Sequence, residues 1–498
     1  MNRSAKLLLS VGSTRSPGRR NDPQPACRRP TLPFSVGAIA LLLLTSVTAA
    51  CTGDEVAPEP AVDTSHLPGG DTTNTILLGV NAYSRHADNI TPEHEGWFFT
   101  GNSLFDSPWV QAPSSTTARD GLGPLFNARS CGGCHFNDGR GRPLNNDGTT
   151  SQGLLFRLSV GENDETGAPI DDPSYGGQFQ PQAISGVAAE GSVTITYTAL
   201  TRTYPDGSNY ELQLPSYEFS DLAYGDFDDE LRFSPRVAPP MIGLGLLEAI
   251  PEERLDQLAD PDDTDGDGIS GRLQLTLNAD SGMLEVGRFG WKAEQPTVRL
   301  QTAGAFNGDL GITSSVFSVE GCSPVQLDCQ QVPSGGAPEI DDNLLDLVAA
   351  YSALVAPPIR TDAAVPEVLA GRALFADVGC ASCHVPSHQT GEHPEFIELS
   401  NQIIWPYTDL LLHDMGPELA DDRPVFQASG QEWRTPPLWG LSQLEAVSGH
   451  TQLLHDGRAR NVEEAIMWHG GEAETSRNAF AALSEEDRAA LLRFVQSL

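Results

Sequence analysis

The chain has 498 residues, 39% of them hydrophobic, and its 67 acidic against 30 basic residues give a formal net charge of −37. It is long enough for two or three domains, each with its own core. Acidity this strong excludes a nucleic-acid-binding or anionic-lipid-binding surface; it leaves cationic partners, or a solvated surface with none.

The first fifty residues depart from that balance, with seven basic residues, one acid and an uncharged run from Phe34 to Ala50. Such a run is too short to span a membrane, and residues 1–50 read as an export signal. Thr48-Ala49-Ala50-Cys51 resembles a lipoprotein cleavage site, although Thr48 stands where an aliphatic residue is usual. On that reading Cys51 carries a lipid anchor in the periplasm, at the outer membrane. Ordinary cleavage near Ala50, with Cys51 incidental, competes with it. Either way residues 52–498 keep 23 basic and 66 acidic residues. Residues 51–72, rich in Pro, Asp, Thr and Gly, read as a disordered tether.

From Thr73 to Gly123 the pattern is mixed, with Trp97, Phe98, Phe99 and Trp109 available to cover a flat ligand. Then comes Leu125-Phe126, followed five residues on by Cys131-Gly132-Gly133-Cys134-His135. The pattern recurs as Leu374-Phe375 and Cys380-Ala381-Ser382-Cys383-His384. Cys-x-x-Cys-His attaches c-type haem: the thiols add across the porphyrin vinyl groups and the imidazole becomes the proximal iron ligand. A structural zinc site wants two Cys pairs close together, and these lie 249 residues apart. Two covalently bound haem groups are therefore expected, on Cys131, Cys134 and His135 and on Cys380, Cys383 and His384. Haem attachment takes place outside the bacterial cytoplasm, in agreement with export.

Gly139-Arg140-Gly141-Arg142 reads as a loop. Leu154–Val160 and Val193–Tyr204 alternate or are β-branched, with Gly, Asp and Pro turns between them, so 153–220 is expected as a β-rich insert. Asp263, Asp265 and Asp267 alternate, with Gly268 at the sixth position, as in calcium loops; Gln274 replaces the usual twelfth-position Glu. The alternative is a solvated acidic turn. Cys322 and Cys329, seven apart, are expected to form a disulfide.

Asp341 or Asp342 caps a helix presenting Leu344, Leu347, Val348, Tyr351 and Val355 on one face, and Pro357-Pro358 ends it. Ser484 caps the last helix, with Leu491, Phe494, Val495 and Leu498 on its apolar face. Each half thus reads as an entry helix, a haem motif, irregular chain and a closing helix. The expected fold is mainly α with irregular loops: two cytochrome c-like domains, 73–360 and 361–498, with the β-rich insert in the first. Gly371 would let the second entry helix approach its partner closely. Asn461 and Glu464 cap a helix whose Val462, Ala465, Ile466 and His469 share a face. His469 is either a satisfied core histidine or an iron ligand, with Met415, Met467 and His413 as competitors.

The stretches Gly243–Ile250, Gly287–Lys292, Tyr407–Gly416, Trp433–Gly440 and Leu454–Arg458, added to the two motifs, carry a family resemblance. The chain resembles the di-haem oxidoreductase, putative peroxidase family. That group is related to the bacterial di-haem cytochrome c peroxidases and to the methylamine-dehydrogenase maturation enzyme. The resemblance implies Trp291 between the haems and Gln301 at an open N-terminal haem. Asp309 is the nearest match to the relatives' proton-transfer acid, as Asp rather than Glu and at a shorter spacing; a turn residue in Asn-Gly-Asp is the other reading. His469 stands where the relatives place a Met or a Tyr on the C-terminal iron, and His in place of Met lowers a haem potential. The implied activity is reduction of hydrogen peroxide, or another oxidant, at the N-terminal haem. Electrons would come through the C-terminal haem from a donor the sequence does not name, a small cytochrome being one candidate. Oxidation of a protein or organic substrate through high-valent haems is the second enzymatic reading. A non-enzymatic electron-transfer cytochrome is the third.

Overall fold

Two helix pairs set the frame in this computed structural model, which describes residues 63–116 and 118–498. The signal, Cys51 and the beginning of the tether lie outside the described residues. In the first pair, Pro92–Asp106 packs on Asp342–Leu354. Thr91 caps the former by accepting from the His94 amide, and Asp341 caps the latter by accepting from that of Leu344. Phe98 and Phe105 meet the Tyr351 ring at 4.8 and 5.1 Å. In the second pair, Pro366–Asp377 packs on Glu485–Val495, capped by Ser484, with Phe375 and Phe494 at 5.3 Å.

Both contacts depend on a glycine. A methyl group at Gly101 would strike the Leu347 carbonyl and sit 2.7 Å from Tyr351 Cβ. At Gly371 it would strike the Ala490 carbonyl and sit 2.7 Å from Phe494 Cβ.

The expectation of a mainly α fold is overturned: the described residues hold 11 α-helices beside small sheets, with 28% helix and 17% strand. Among the described residues the strands form six antiparallel two-stranded sheets. The longest helix among the described residues has 15 residues. The 49 glycines and 37 prolines break helices throughout, and the alternating stretches between 154 and 237 form extended ladders. Leu154–Val160 pairs with Leu231–Val237, and Ser192–Thr203 pairs with Asn209–Ser220 in a long hairpin. The halves also differ at the repeated Leu-Phe pair. Leu374 and Phe375 lie inside a helix, whereas Leu125–Phe126 is a strand against Gln182–Ala183.

Val62–Leu498 forms one compact unit, within which the hairpin acts as a strap. Its base, with Ile195, packs beside Phe156 and Phe179. Its tip, with Tyr204 and Leu212, belongs to the apolar cluster of Phe375, Trp468 and Phe494. There the Tyr204 hydroxyl donates to Glu463 (2.9 Å), and Arg488 pairs with Asp206 (2.7 Å). Residues 63–72, expected as part of the tether, pack against the body: Ser65 is buried and its carbonyl accepts from Arg360. Cys322 and Cys329 form the expected disulfide, with Cα atoms 5.8 Å apart.

Gly101→Ala should cost about 1–3 kcal/mol by overpacking. Gly96→Ala, in the same helix with nothing within 4 Å, should stabilise by about 0.5–1 kcal/mol. Chemical denaturation of the two variants checks both signs.

Candidate haem site

Each Cys-x-x-Cys-His stretch winds into a single tight turn. Cys131–Cys134 is one α-turn, and Cys380–Ser382 is a 3-10 turn entered through Gly379 at φ 88°. The His135 amide bonds back to the Cys131 carbonyl and that of His384 to the Cys380 carbonyl, each at 3.0 Å. Both thiols and the imidazole of each motif line one cavity of about 550 Å³. The four thiols are free, and burial pushes those of Cys131 and Cys380 up to about 12.

The histidines are held by their other ring nitrogen. His135 Nδ1 lies 2.8 Å from the Pro239 carbonyl, His384 Nδ1 3.0 Å from that of Tyr407, and His469 Nδ1 2.6 Å from that of Ala465. A carbonyl only accepts, so each Nδ1 carries the proton and each Nε2 keeps its lone pair. Burial lowers the pKa of His135 and His384 to about 4, and that of His469 below its usual value, so all three are neutral. Neutral imidazoles with bare Nε2 atoms, free thiols and a mainly apolar wall fit covalent haem.

His469 follows the helix Val462–Trp468, which Asn461 caps by accepting from the Glu464 amide at 2.9 Å. Val462, Ala465, Ile466 and His469 line the cavity, whereas Met467 points to a separate pocket beside Tyr204. His413 is clamped between Asp409 Oδ2 (2.9 Å) and Glu472 Oε2 (2.7 Å). Burial opposes its charge, but Asp409, Cys383 and Glu472 outweigh burial and hold its pKa well above the usual value. With both nitrogens protonated it has no lone pair for a metal. Met415 also reaches the cavity wall.

Gln301 and Asp309 lie on the helix Val298–Leu310, capped by Thr297, and both line the same cavity. The Asp309 carbonyl accepts from the amides of Asn127 and Ala128 at 2.8 and 3.2 Å, fastening the helix end to the chain that leads into Cys131. Its carboxylate accepts from Gln178 Nε2 at 2.8 Å, and Gln178 also donates to the Gly308 carbonyl. Burial raises the Asp309 pKa against the pull of Arg157 and Gln178. Nothing local in the sequence marks Gln178, which lies 131 positions away.

Trp291 lines the cavity and donates from Nε1 to the Val237 carbonyl at 2.9 Å. Arg140, read from sequence as loop, is buried with its guanidinium 5.3 Å from the Trp291 ring centre. Beside Trp291, Lys292 is fully buried; it bonds Asp421 Oδ1 at 2.9 Å and the Ser429 carbonyl at 2.7 Å. Lys292 Nζ also lies 4.5 Å from the Trp433 ring centre, and Trp433 stacks on His455 at 3.9 Å. Burial brings Lys292 down to about 8 despite Asp421. Tyr83 and Phe105, rather than Trp97, Phe98, Phe99 or Trp109, are the aromatics of residues 73–123 that reach the cavity.

The carboxylates of Asp263, Asp265 and Asp267 lie within 4.8 Å of one another on the surface. Gln274 does not join them: it is buried and donates to the Val425 carbonyl at 2.7 Å.

This chain belongs to the di-haem oxidoreductase, putative peroxidase family, whose pattern matches residues 62–498. Two haem groups and oxidoreductase chemistry go with that membership. No curated protein and no solved structure matches the chain.

Asp421→Asn should destabilise the fold by about 3–5 kcal/mol, because it leaves the Lys292 ammonium buried without its counter-charge. The double variant Lys292→Met/Asp421→Leu should recover most of that loss in denaturant titrations.

Proposed function

We propose that the protein is an exported peroxidase that reduces hydrogen peroxide to two waters with two protons and two electrons. A periplasmic donor such as a small cytochrome would supply the electrons. The observation that carries this reading is the Gln301–Asp309 helix, which shares the cavity wall with the first Cys-x-x-Cys-His turn and bears a carboxyl group with a raised pKa.

Bound haem would supply a redox-active iron with a coordination place open to peroxide. Cys131 and Cys134, and Cys380 and Cys383, hold the two groups as thioethers, with His135 and His384 as proximal ligands. His469 would offer its Nε2 to the C-terminal haem, and Trp291 would provide an aromatic path for electrons between the two groups. The Gln301 amide orients peroxide. The Asp309 carboxylate takes the proton from the nearer peroxide oxygen and returns it to the farther one, which leaves as water. Gln178 fixes that carboxylate. Export to the periplasm and a lipid anchor on Cys51 rest on the sequence alone. Asp263, Asp265 and Asp267 would take Ca²⁺ as a structural ion. In that case chelator lowers the melting temperature of wild type but not of an Asp265→Asn variant.

The histidine at 469 favours a second enzymatic reading, because a low-potential second centre shares oxidising equivalents with the first and lets a protein or organic substrate be oxidised. A pure electron carrier is the non-enzymatic reading. Paramagnetic resonance separates enzyme from carrier: a high-spin ferric signal beside a low-spin one marks an enzyme, two low-spin signals a carrier.

Asp309→Asn should slow peroxide reduction by about 10²–10⁴-fold. Because only the carboxylate form accepts the proton, the wild-type rate should fall as pH drops through the raised pKa, above the ordinary Asp value of about 4. The variant should lack that limb. His469→Ala should convert one low-spin ferric signal to high-spin; an unchanged spectrum removes His469 as a ligand.

A further inference from the structure

The cavity inverts the charge of the chain. Seven arginines and three carboxylates line it, in a sequence with more than twice as many acids as bases. Arg236 is paired with Glu294, Arg477 with Glu474, and Glu472 with His413. Arg157, Arg423 and Arg434 share the field of Glu294 with Arg236. Arg288, Arg423, Arg140 and Arg434 are each buried with no carboxylate within ion-pair distance among the described residues, and of these Arg140 and Arg434 are singled out by their contact with Trp291 and its neighbour Gly290.

Both are built onto Trp291. The Arg140 guanidinium lies over its ring. The Arg434 amide donates to the Trp291 carbonyl, and Arg434 Nε donates to that of Gly290, both at 2.9 Å. Their other protein partners are backbone carbonyls: Leu454 for Arg140 and Thr435 for Arg434. Arg140 Nε is buried with no partner at all. A guanidinium taken out of water is costly unless an anion meets it, and its planar fork matches a carboxylate in two parallel hydrogen bonds. The family's two haems bring two propionate carboxylates each, and these are the anions the cavity lacks.

We propose that Arg140 and Arg434 bind haem propionates and pin them beside Trp291, so that the same two side chains set haem position and raise haem potential. This rests on the haem reading above. A positive charge next to a propionate favours the reduced iron, and anchoring at Trp291 fixes the distance the electron crosses.

The test uses the full chain with its haems, as Arg140→Gln, Arg434→Gln and the two Lys variants. Mass and in-gel haem staining count the haems, a redox titration reads both midpoints, and resonance Raman reads the propionate-bending bands. Each Gln variant should keep two haems, lower one midpoint and move a propionate band. Each Lys variant should restore the midpoint more fully than the band, since an ammonium keeps the charge but not the fork. Should a Gln variant fail to accumulate, a displaced band in the corresponding Lys variant sustains the proposal and an unmoved one overturns it. Unmoved midpoints and bands in folded Gln variants carrying two haems overturn the arginine assignment alone. A wild-type chain without covalent porphyrin overturns the reading beneath it.

Discussion

The hydrogen bond from an imidazole Nδ1 to a backbone carbonyl is the constraint from which the site follows. It fixes the tautomer and rotation of the ring, and it delivers a bare Nε2 to the cavity. A carbonyl inside a helix already accepts from an amide four residues on and points along the helix axis, so it is poorly placed to do this. Pro239 and Tyr407 supply free carbonyls because both stand in irregular chain, Tyr407 at φ 56°. Ala465 reaches the same end by another route. Its helix stops at Trp468, and the His469 amide bonds Ile466 instead, so the Ala465 carbonyl is left for the His469 ring. A chain that aims several carbonyls inward is served by irregular stretches and helix ends. That is one physical reason why the mainly α expectation fails.

The same irregular chain needs external support, which the two glycine-dependent helix pairs and the long hairpin provide. Gly101 and Gly371 let backbones touch where a methyl group would hold them apart, so each motif sits beside a rigid crossing. The hairpin begins in the cluster of Phe156 and Phe179 and ends in that of Trp468 and Phe494. Tyr204 meets Glu463 on the helix that precedes His469, so a strand leaving one apolar cluster steadies a candidate ligand in the other. One compact unit, with strands crossing it, carries both motifs.

What the sequence made legible was local. The caps at Asp341, Asn461 and Ser484 bond three residues ahead, and alternation marked the strands of 154–160 and 192–203. The cavity-facing side of the helix that precedes His469 followed from its period. The family resemblance covered the chain because motif spacing survives without any knowledge of packing. Partnerships across the chain stayed hidden: Gln178 to Asp309 spans 131 residues, Lys292 to Asp421 spans 129, and Arg488 to Asp206 spans 282. A side chain's partner at that distance is chosen by the fold, and no periodicity records it. Gly139–Arg142 shows the cost, since its turn composition is correct for a loop and silent about Arg140 being buried against Trp291. The repeated Leu-Phe pair misled in the opposite direction, because identical residues were used once in a strand and once in a helix.

Charge separates the outside of the molecule from its inside. The excess of acidic residues sets up a negative field outside the molecule whose influence fades over about 8–10 Å at ordinary salt. The cavity wall holds arginines whose charge is screened much less, because little water surrounds them. Two of the buried cations near Trp291 are treated in opposite ways. Lys292 is neutralised by Asp421 and closed off beneath Trp433, so it contributes rigidity and little field. Arg140 bonds a carbonyl oxygen and lies over an aromatic face, with Asp456 acting on it from beyond ion-pair distance, so its charge remains available to whatever fills the space in front of it. A fold able to bury a matched ion pair at one position could have matched the neighbouring arginine as well. Arg140 instead lines the cavity with its Nε unpartnered, as suits a wall completed by an anionic ligand.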